Sequence, residues 1–400
     1  MMENAVYTNL GTDIKEHLYT NIIPFWEGLK DEEYGGYYGL LDFDLNLDKK
    51  AVKGCILNSR ILWFFSNGVT RLGDKTLLPY ADHAFEFMKN YCFDKDNGGV
   101  YWSLNYDGSV NDSTKHTYNQ AFAVYALSSY YEASGKEEAK ELAFSLVDII
   151  ENKCRDEGGY LEAFTIDFGP ESNEKLSENG VMATRTMNTL LHVFEAYTEL
   201  YRVTKDEKTA ERLNSMLHCF YEDVYNKERH RLEVFFDSDY KSLIDLHSYG
   251  HDIEAAWLVD KGVDVMGEAV EAEMKEKIAF MTKDIAQNVL NLAYAQNSLM
   301  CENEKGVNNQ LRIWWVQCEA IIGFYNEYQK DKEKKACADA AKAIWEYTKE
   351  KIVDKRPGSE WLSEVDEKGI PATKKPIVEP WKCPYHNGRM CYEMIERTKA

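Results

Sequence analysis

Two kinds of helical pattern alternate along the chain. One is amphipathic and carries abundant Lys and Glu on its polar face, as in the segment that begins near Lys136; the other is apolar almost all round, as in residues 117–131, TYNQAFAVYALSSYY. A helix with one apolar stripe lies at the surface of a fold, and one that is apolar on every side is buried. A turn-rich signature recurs between the two kinds: DEEYGGYYG from Asp31, DKDNGGVYW from Asp94, CRDEGGYLEAF from Cys154 and, more weakly, KRPGSEWLSEV from Lys355. Gly35, Gly98 and Gly158 within it step by 63 and then 60 residues, and weaker equivalents near Glu228 and Ser298 bring the number of units to six. A period of about sixty to seventy residues marks a repeat architecture, each unit an outer helix, a short hairpin and an inner helix.

Six such pairs, with no linker rich in Pro, Gly or Ser, predict an all-α chain: a single (α/α)6 barrel over residues 1–400 with short hairpins at the active-site rim. An open helical solenoid is the alternative, and a Trp-rich interior with only six long units favours closure.

Composition narrows the partners. With 44% hydrophobic residues, 26 Tyr, 17 Phe and 9 Trp the chain can fill a large core, and it has no disordered character. A formal charge of −21 without a basic stripe repels nucleic-acid phosphates and anionic membrane surfaces, so neither is an expected partner. The first twenty residues lack a basic start followed by an apolar run, and no apolar stretch reaches the ~18 residues of a membrane span, so a cytoplasmic location is expected. Nine scattered cysteines without a CxxC pair argue for reduced thiols rather than a disulfide framework or a cysteine zinc site.

A closed ring brings equivalent positions of each unit to one rim. Arg60 lies in ILNSRILWFF, Tyr118 in HTYNQAF, Asn188 and His192 in MNTLLHVFEAY, His251 and Glu254 in YGHDIEAAW, Trp314, Trp315 and Glu319 in RIWWVQCEA, and His386 in WKCPYHNGRM. Successive gaps through positions 60, 118, 188, 251, 315 and 386 are 58, 70, 63, 64 and 71. A lone His on a buried helix is ordinarily a satisfied core residue, but Asn188, His192, Glu195 and Glu199 make a polar stripe opposite the apolar Met187, Leu190, Leu191 and Phe194, and such a stripe on an inner helix needs a lumen. Arg60 sits among Ile61, Leu62, Trp63, Phe64 and Phe65, where an unpaired charge is costly; it either pairs with a buried carboxylate or awaits an anion. His247, His251 and Glu254 have metal-site spacing, but Gly250 suggests a helix start that leaves His247 in the preceding loop. His251 then lies in the first helical turn, where the dipole keeps its imidazole neutral. Trp63, Trp257 and Trp345 read as core fillers. One of the adjacent Trp314 and Trp315, together with Trp381, offers a flat face to a sugar ring.

Two neutral imidazoles across a carbohydrate suit proton transfer to and from carbon. Removing the hydrogen beside an aldehyde leaves an enediolate whose oxygen needs a fixed cation in a dry pocket, a part Arg60 can fill. A phosphate loop, a nucleotide-binding βαβ unit and a convincing metal cluster are all missing, so no cofactor and no metal are expected. An inverting glycoside hydrolase would need two working carboxylates, for which Glu254, Glu319, Asp167 and Glu162 are available. A non-catalytic sugar-binding protein is the remaining alternative.

The segments KGCILNSRILWF, KHTYNQAFAVYALSSYY, HSYGHDIEAAWL, RIWWVQCEA and PWKCPYHNGRMCYE span nearly the whole chain and resemble the N-acylglucosamine 2-epimerase superfamily, in particular its branch acting on cellobiose. The resemblance implies an (α/α)6 barrel that converts the reducing-end glucose of β-1,4-linked disaccharides, cellobiose first and lactose among the others, reversibly to mannose. It implies that His251 and His386 exchange the C2 proton through a cis-enediolate, that His192 assists ring opening, and that Arg60 stabilises the enediolate. It places Glu254 as a hydrogen-bonding partner near His251, and assigns Asn188, Tyr118, Glu319, Trp315 and Trp381 to holding the sugar. N-acylglucosamine 2-epimerisation and mannose aldose–ketose isomerisation are the rival activities in the same superfamily. Where relatives can read LHSR this chain has Asn58, which could alter hydrogen bonding around Arg60. CENEKGVNNQ before Trp314 reads as a rim loop. A monomer is expected, with a small disaccharide as its only partner.

Overall fold

A computed structural model describes residues 2–176 and 179–399; Met1, Ser177, Glu178 and Ala400, which the expected 1–400 domain includes, lie outside the described residues. The chain is mostly helical: α1 (Met2–His17), α2 (Ile23–Glu27), α3 (Cys55–Leu72), α4 (Leu78–Phe87), α5 (Thr117–Ser134), α6 (Glu137–Lys153), α7 (Met187–Thr204), α8 (Glu207–Cys219), α9 (Tyr249–Met266), α10 (Ala272–Ala293), α11 (Trp314–Lys330), α12 (Lys335–Tyr347) and α13 (His386–Thr398).

The two helical patterns have the two environments they predict. On α6 only the stripe Ala139, Ala143, Leu146 and Ile150 is buried, whereas α5 is buried on every side from Thr117 to Tyr130. The buried helices contact one another in a cycle: α3 packs on α5, α5 on α7, α7 on α9, α9 on α11, α11 on α13, and α13 on α3 again. Outside them, α4 lies on α3, α6 on α5, α8 on α7, α10 on α9, α12 on α11, and α1 on α13. Among the described residues no helix is long and apolar enough to cross a membrane.

Each outer helix leads into a tight antiparallel turn: Lys30 pairs with Tyr37, Phe93 with Val100, Arg155 with Tyr160, Tyr225 with Leu232, Tyr294 with Leu299, and Val353 with Trp361. The Gly-Gly signature has a backbone cause. Gly98 and Gly99 take φ of 81° and 76°, and a Cβ on Gly99 would stand 2.9 Å from Gln120 Oε1. Asp94 accepts from the backbone N–H of Asp96 and Asn97, and the buried Lys115 ammonium clamps Asp94 Oδ2 at 3.0 Å and the Gly98 carbonyl at 2.8 Å. Asp31 with Lys53 repeats this arrangement one unit earlier.

The fourth residue of four inner helices then staples the turn to the ring. Asn58, Gln120, Asp252 and Gln317 accept from the backbone N–H of Tyr37, Val100, Leu232 and Leu299 at 3.1, 2.7, 3.2 and 2.8 Å. These bonds satisfy donors that would otherwise be buried without a partner. They account for Asn58: it holds the turn, its Nδ2 donating to the Gly54 carbonyl, and it takes no part in the bonds of Arg60. At the other end of the inner helices Glu393 accepts from Arg71, Lys261 and Arg397, so charge there is consumed in ion pairs.

Candidate active site

The hairpins deliver the chain to the first turns of the inner helices, and the chemically unusual side chains gather there. Arg60, on α3, is 2% exposed. Its Nη2 donates to the Tyr118 hydroxyl at 2.9 Å and its Nη1 to the Trp381 carbonyl at 3.3 Å, while the guanidinium plane lies 4.1 Å from the Phe122 ring centre and 4.6 Å from that of Tyr385. The first of the two readings for this residue does not hold, since its hydrogen bonds go to neutral groups rather than to a carboxylate, and Nε is buried without a partner. A dry cation held by aromatic faces is suited to an anion that forms beside it.

Each histidine is held through Nδ1. His192 Nδ1 lies 2.9 Å from Glu195 Oε2, His386 Nδ1 2.7 Å from Glu319 Oε1, and His251 Nδ1 2.7 Å from Ser248 Oγ. A carboxylate accepts a proton's hydrogen bond and cannot donate one, so Glu195 and Glu319 fix the Nδ1–H tautomer and leave Nε2 of a neutral ring as the basic atom. Burial pushes the His386 imidazole well below its usual pKa, against the pull of Glu254, so it is neutral. Trp315 links the other pair: its ring centre is 4.8 Å from that of His251 and 5.4 Å from that of His386.

The strand Leu246–Ser248 that feeds α9 is paired with Glu302–Glu304, itself paired with Val307–Asn309, so the CENEKGVNNQ segment is a rim hairpin seated directly before His251. The Tyr249 hydroxyl donates to Asn308 at 3.0 Å and ties the hairpin to the helix start. His247 lies in the strand, with Nε2 2.8 Å from Asp252 Oδ2, so the shared metal face with His251 is not formed.

Several expected placements change. Glu254 was expected beside His251; its carboxylate instead pairs with Arg389 and lies 4.0 Å from His386 Nδ1. Glu319 has no exposed surface and accepts from Trp257 Nε1 at 2.9 Å as well as bonding His386 and Arg389, so it stands behind the histidine rather than facing a sugar. Trp257 is thereby more than a core filler, and Trp345 likewise donates to Asp13. Trp314 is buried with Lys382 4.8 Å above its ring, whereas Trp315 and Trp381 are half-buried. Trp381 lies edge-on to Trp102, with ring centres 5.6 Å apart, and Asn188 is half-buried with Oδ1 unpartnered. Of the hydrolase candidates, Glu254 and Glu319 stay together on Arg389, whereas Asp167 accepts from Thr165 in an exposed turn, and Glu162 accepts from the Thr186 amide and the Thr189 hydroxyl, its carboxyl pushed up to about 7 by burial.

Sequence reasoning passed over Arg389. This residue, 1% exposed, reaches Glu195, Glu254 and Glu319 together, with Tyr385 bonded to both it and Glu195. The available signal was its place three residues after His386 on the same helix face. Oxygen and nitrogen atoms of Glu254, Glu319 and His386 lie within 4.8 Å of one another, a donor set a cation would accept. The guanidinium of Arg389 bonds the same two carboxylates and supplies the positive charge there.

Residues 35–387 match the family described as N-acylglucosamine 2-epimerase (GlcNAc 2-epimerase). The cellobiose 2-epimerase of Ruminococcus albus is 49% identical over 386 residues, covering 96% of this chain and 98% of that relative. A solved sugar epimerase from a ruminal bacterium superposes with a TM-score of 0.95 at 49% identity, covering 97% of this chain and 99% of that one. The cellobiose 2-epimerase structure from Bacillus thermoamylovorans B4167 does so with a TM-score of 0.93 at 45% identity and the same coverage.

Proposed function

The chain belongs to the N-acylglucosamine 2-epimerase family, and on that premise we propose that it is a cellobiose 2-epimerase, interconverting glucose and mannose at the reducing end of cellobiose. One observation carries the reading: His251 and His386 both lie against the single indole of Trp315, in a site that also holds an arginine whose hydrogen bonds go to neutral groups.

Ring opening moves the O1 proton to the ring oxygen, and His192, with Nδ1 committed to Glu195, offers Nε2 for that transfer. Either His251 or His386 then takes the C2 proton. The C–H electron pair becomes the C1–C2 double bond of a cis-enediolate, and the negative charge settles on O1, where Arg60 stabilises it. The other histidine, carrying a proton on the nitrogen that faces C2, gives it to the opposite face, exchange with solvent restores both rings, and ring closure gives the mannose-ended disaccharide. Tyr118, Asn188, Trp315 and Trp381 hold the sugar, and Trp314, Glu254 and Glu319 support them from behind. Lactose and other β-1,4-linked disaccharides share the reducing-end chemistry and are further substrates. The reaction needs no metal or nucleotide.

The paired helices are read as one (α/α)6-barrel domain, supported by the closed cycle of contacts from α3 through α13 and by the outer partner each inner helix has. The reading further takes the protein as a cytoplasmic monomer, in keeping with its acidic charge and scattered cysteines.

Incubation with cellobiose in deuterated water and a chelator, followed by NMR, tests the reaction. Deuterium at C2 of a mannose-ended product is the expected result. Intact cellobiose without exchange rejects the assignment, and released glucose points to hydrolysis.

A further inference from the structure

We propose that Arg389 is a positioning residue that locks both carboxylate–histidine pairs, His192–Glu195 and His386–Glu319, in the tautomer that presents Nε2 to the substrate. The proposal rests on the epimerase reading for its kinetic consequence and on geometry alone for the tautomers. Nη1 of Arg389 bonds Glu195 Oε1 at 2.5 Å, and Nη2 bonds Glu319 Oε1 at 2.8 Å and Glu254 Oε1. The second oxygen of Glu195 receives His192, and the Glu319 oxygen that receives His386 is the one Arg389 holds. One planar guanidinium therefore fixes the acceptors of two histidines on two different inner helices, a task for a forked donor rather than a point charge.

Three buried carboxylates cannot all stay ionised without that cation. Burial pushes the Glu319 carboxyl up against the opposing pull of Arg389 and Trp257. Burial acts on Glu195 in the same sense, yet Arg389, His192 and Tyr385 together hold it well below the usual carboxylate range. Without the guanidinium, Glu195 or Glu319 takes up a proton at neutral pH. A protonated carboxyl donates to Nδ1 instead of accepting from it, the ring proton moves to Nε2, and the histidine ceases to be a base toward the substrate.

Other ionisable groups facing the cluster are Arg60 from α3, Tyr118 and Tyr125 from α5, Cys318 from α11, whose thiol burial pushes well up, and Tyr385 from α13. Burial pushes all three phenols up, and Arg60 keeps its charge, so none of them titrates near neutrality.

Histidine-selective nitrogen-15 NMR on the full chain, assigned with His192→Gln and His386→Gln, reads the tautomers directly. In the unaltered protein at pH 7 both histidines should carry the proton on Nδ1; an Nε2–H signal from either overturns the proposal with no further variant. Arg389→Met should convert at least one of them to Nε2–H, lower kcat at pH 7 about 10- to 100-fold with KM within about threefold, and move the acid limb of the pH profile upward by at least about one unit. Arg389→Lys, which keeps the charge and loses the fork, should lie between the two and carries the test if Arg389→Met does not fold. Folded variants with unchanged tautomers and an unchanged pH profile overturn the proposal. Correct tautomers in a protein that does not exchange the C2 proton would instead reject the epimerase reading and leave the clamp standing.

Discussion

His386 Nδ1 lies 2.7 Å from Glu319 Oε1, a carboxylate without exposed surface. Glu319→Gln keeps an acceptor of similar shape but removes the charge that holds the imidazole orientation and pairs Arg389. We expect kcat to fall about 10- to 100-fold with little change in KM. His386→Asn, which removes the base itself, should cost about 10²- to 10⁴-fold. Steady-state epimerisation of cellobiose separates the two, and equal losses would mean that Glu319 touches the substrate.

Arg60 is sandwiched between Phe122 and Tyr385 and bonded to Tyr118, so its charge is already desolvated before substrate arrives. A cation in that state stabilises a developing oxyanion more than it stabilises a neutral aldehyde. Arg60→Met should therefore lower kcat about 10²- to 10³-fold, with KM changed far less. Arg60→Lys should recover only part of the loss, because an ammonium does not lie flat between two rings. A loss confined to KM would remove Arg60 from the chemical step.

The parts of this site that left a mark in the sequence did so through local rules. Inner and outer helices differ in periodicity, the Gly-Gly turns need left-handed backbone, and His251 sits just past a helix start that Gly250 betrays. Arg389 left little mark, because its partners come from α7, α9 and α11 and meet only when the ring is assembled. The misplacement of Glu254 has the same origin. Its spacing from His251 puts both on one helical face, but the full positive charge of Arg389 draws the carboxylate to α13. The π-helical turns at Met88–Cys92, Phe220–Val224 and Thr348–Ile352 stand where an outer helix meets its hairpin, a fourth at Leu18–Ile22 joins α1 to α2, and no residue pattern announced them.

His116 packs on Trp102 with ring centres 4.4 Å apart and has no hydrogen-bond partner for either nitrogen. Burial lowers its pKa to about 4, and His17, which accepts from Trp361, is lowered to a similar value by burial. The unfolded chain therefore binds protons that the folded chain refuses between pH 6.5 and 4. Stability contributed by the neutral rings is complete above about pH 6.5 and is lost as pH falls through that window, by at most about 3 kcal/mol for His116. His116→Phe keeps the ring contact without the titration, and urea unfolding across this range should show a shallower acid decline. An unchanged slope would place the acid lability elsewhere.

Asn58 and Arg60 lie two residues apart on α3 and so face different ways, one toward the turn and one toward the cavity. Asn58 Oδ1 takes the Tyr37 amide at 3.1 Å, and Gly36 passes so close that a Cβ there would stand 2.8 Å from the same oxygen. Removing that oxygen leaves a buried backbone donor unsatisfied, a loss of about 1–3 kcal/mol, and no other group is placed to replace it. Asn58→Ala should lower the unfolding free energy by that amount while kcat per folded molecule stays within about threefold. Gln317→Ala should behave alike, since Leu299 depends on it in the same way at 2.8 Å. If Asn58→Ala instead lowered kcat as far as Arg60→Met does, the turn would be coupled to the cation, and the departure from the LHSR pattern would have to be explained through catalysis rather than through the staple.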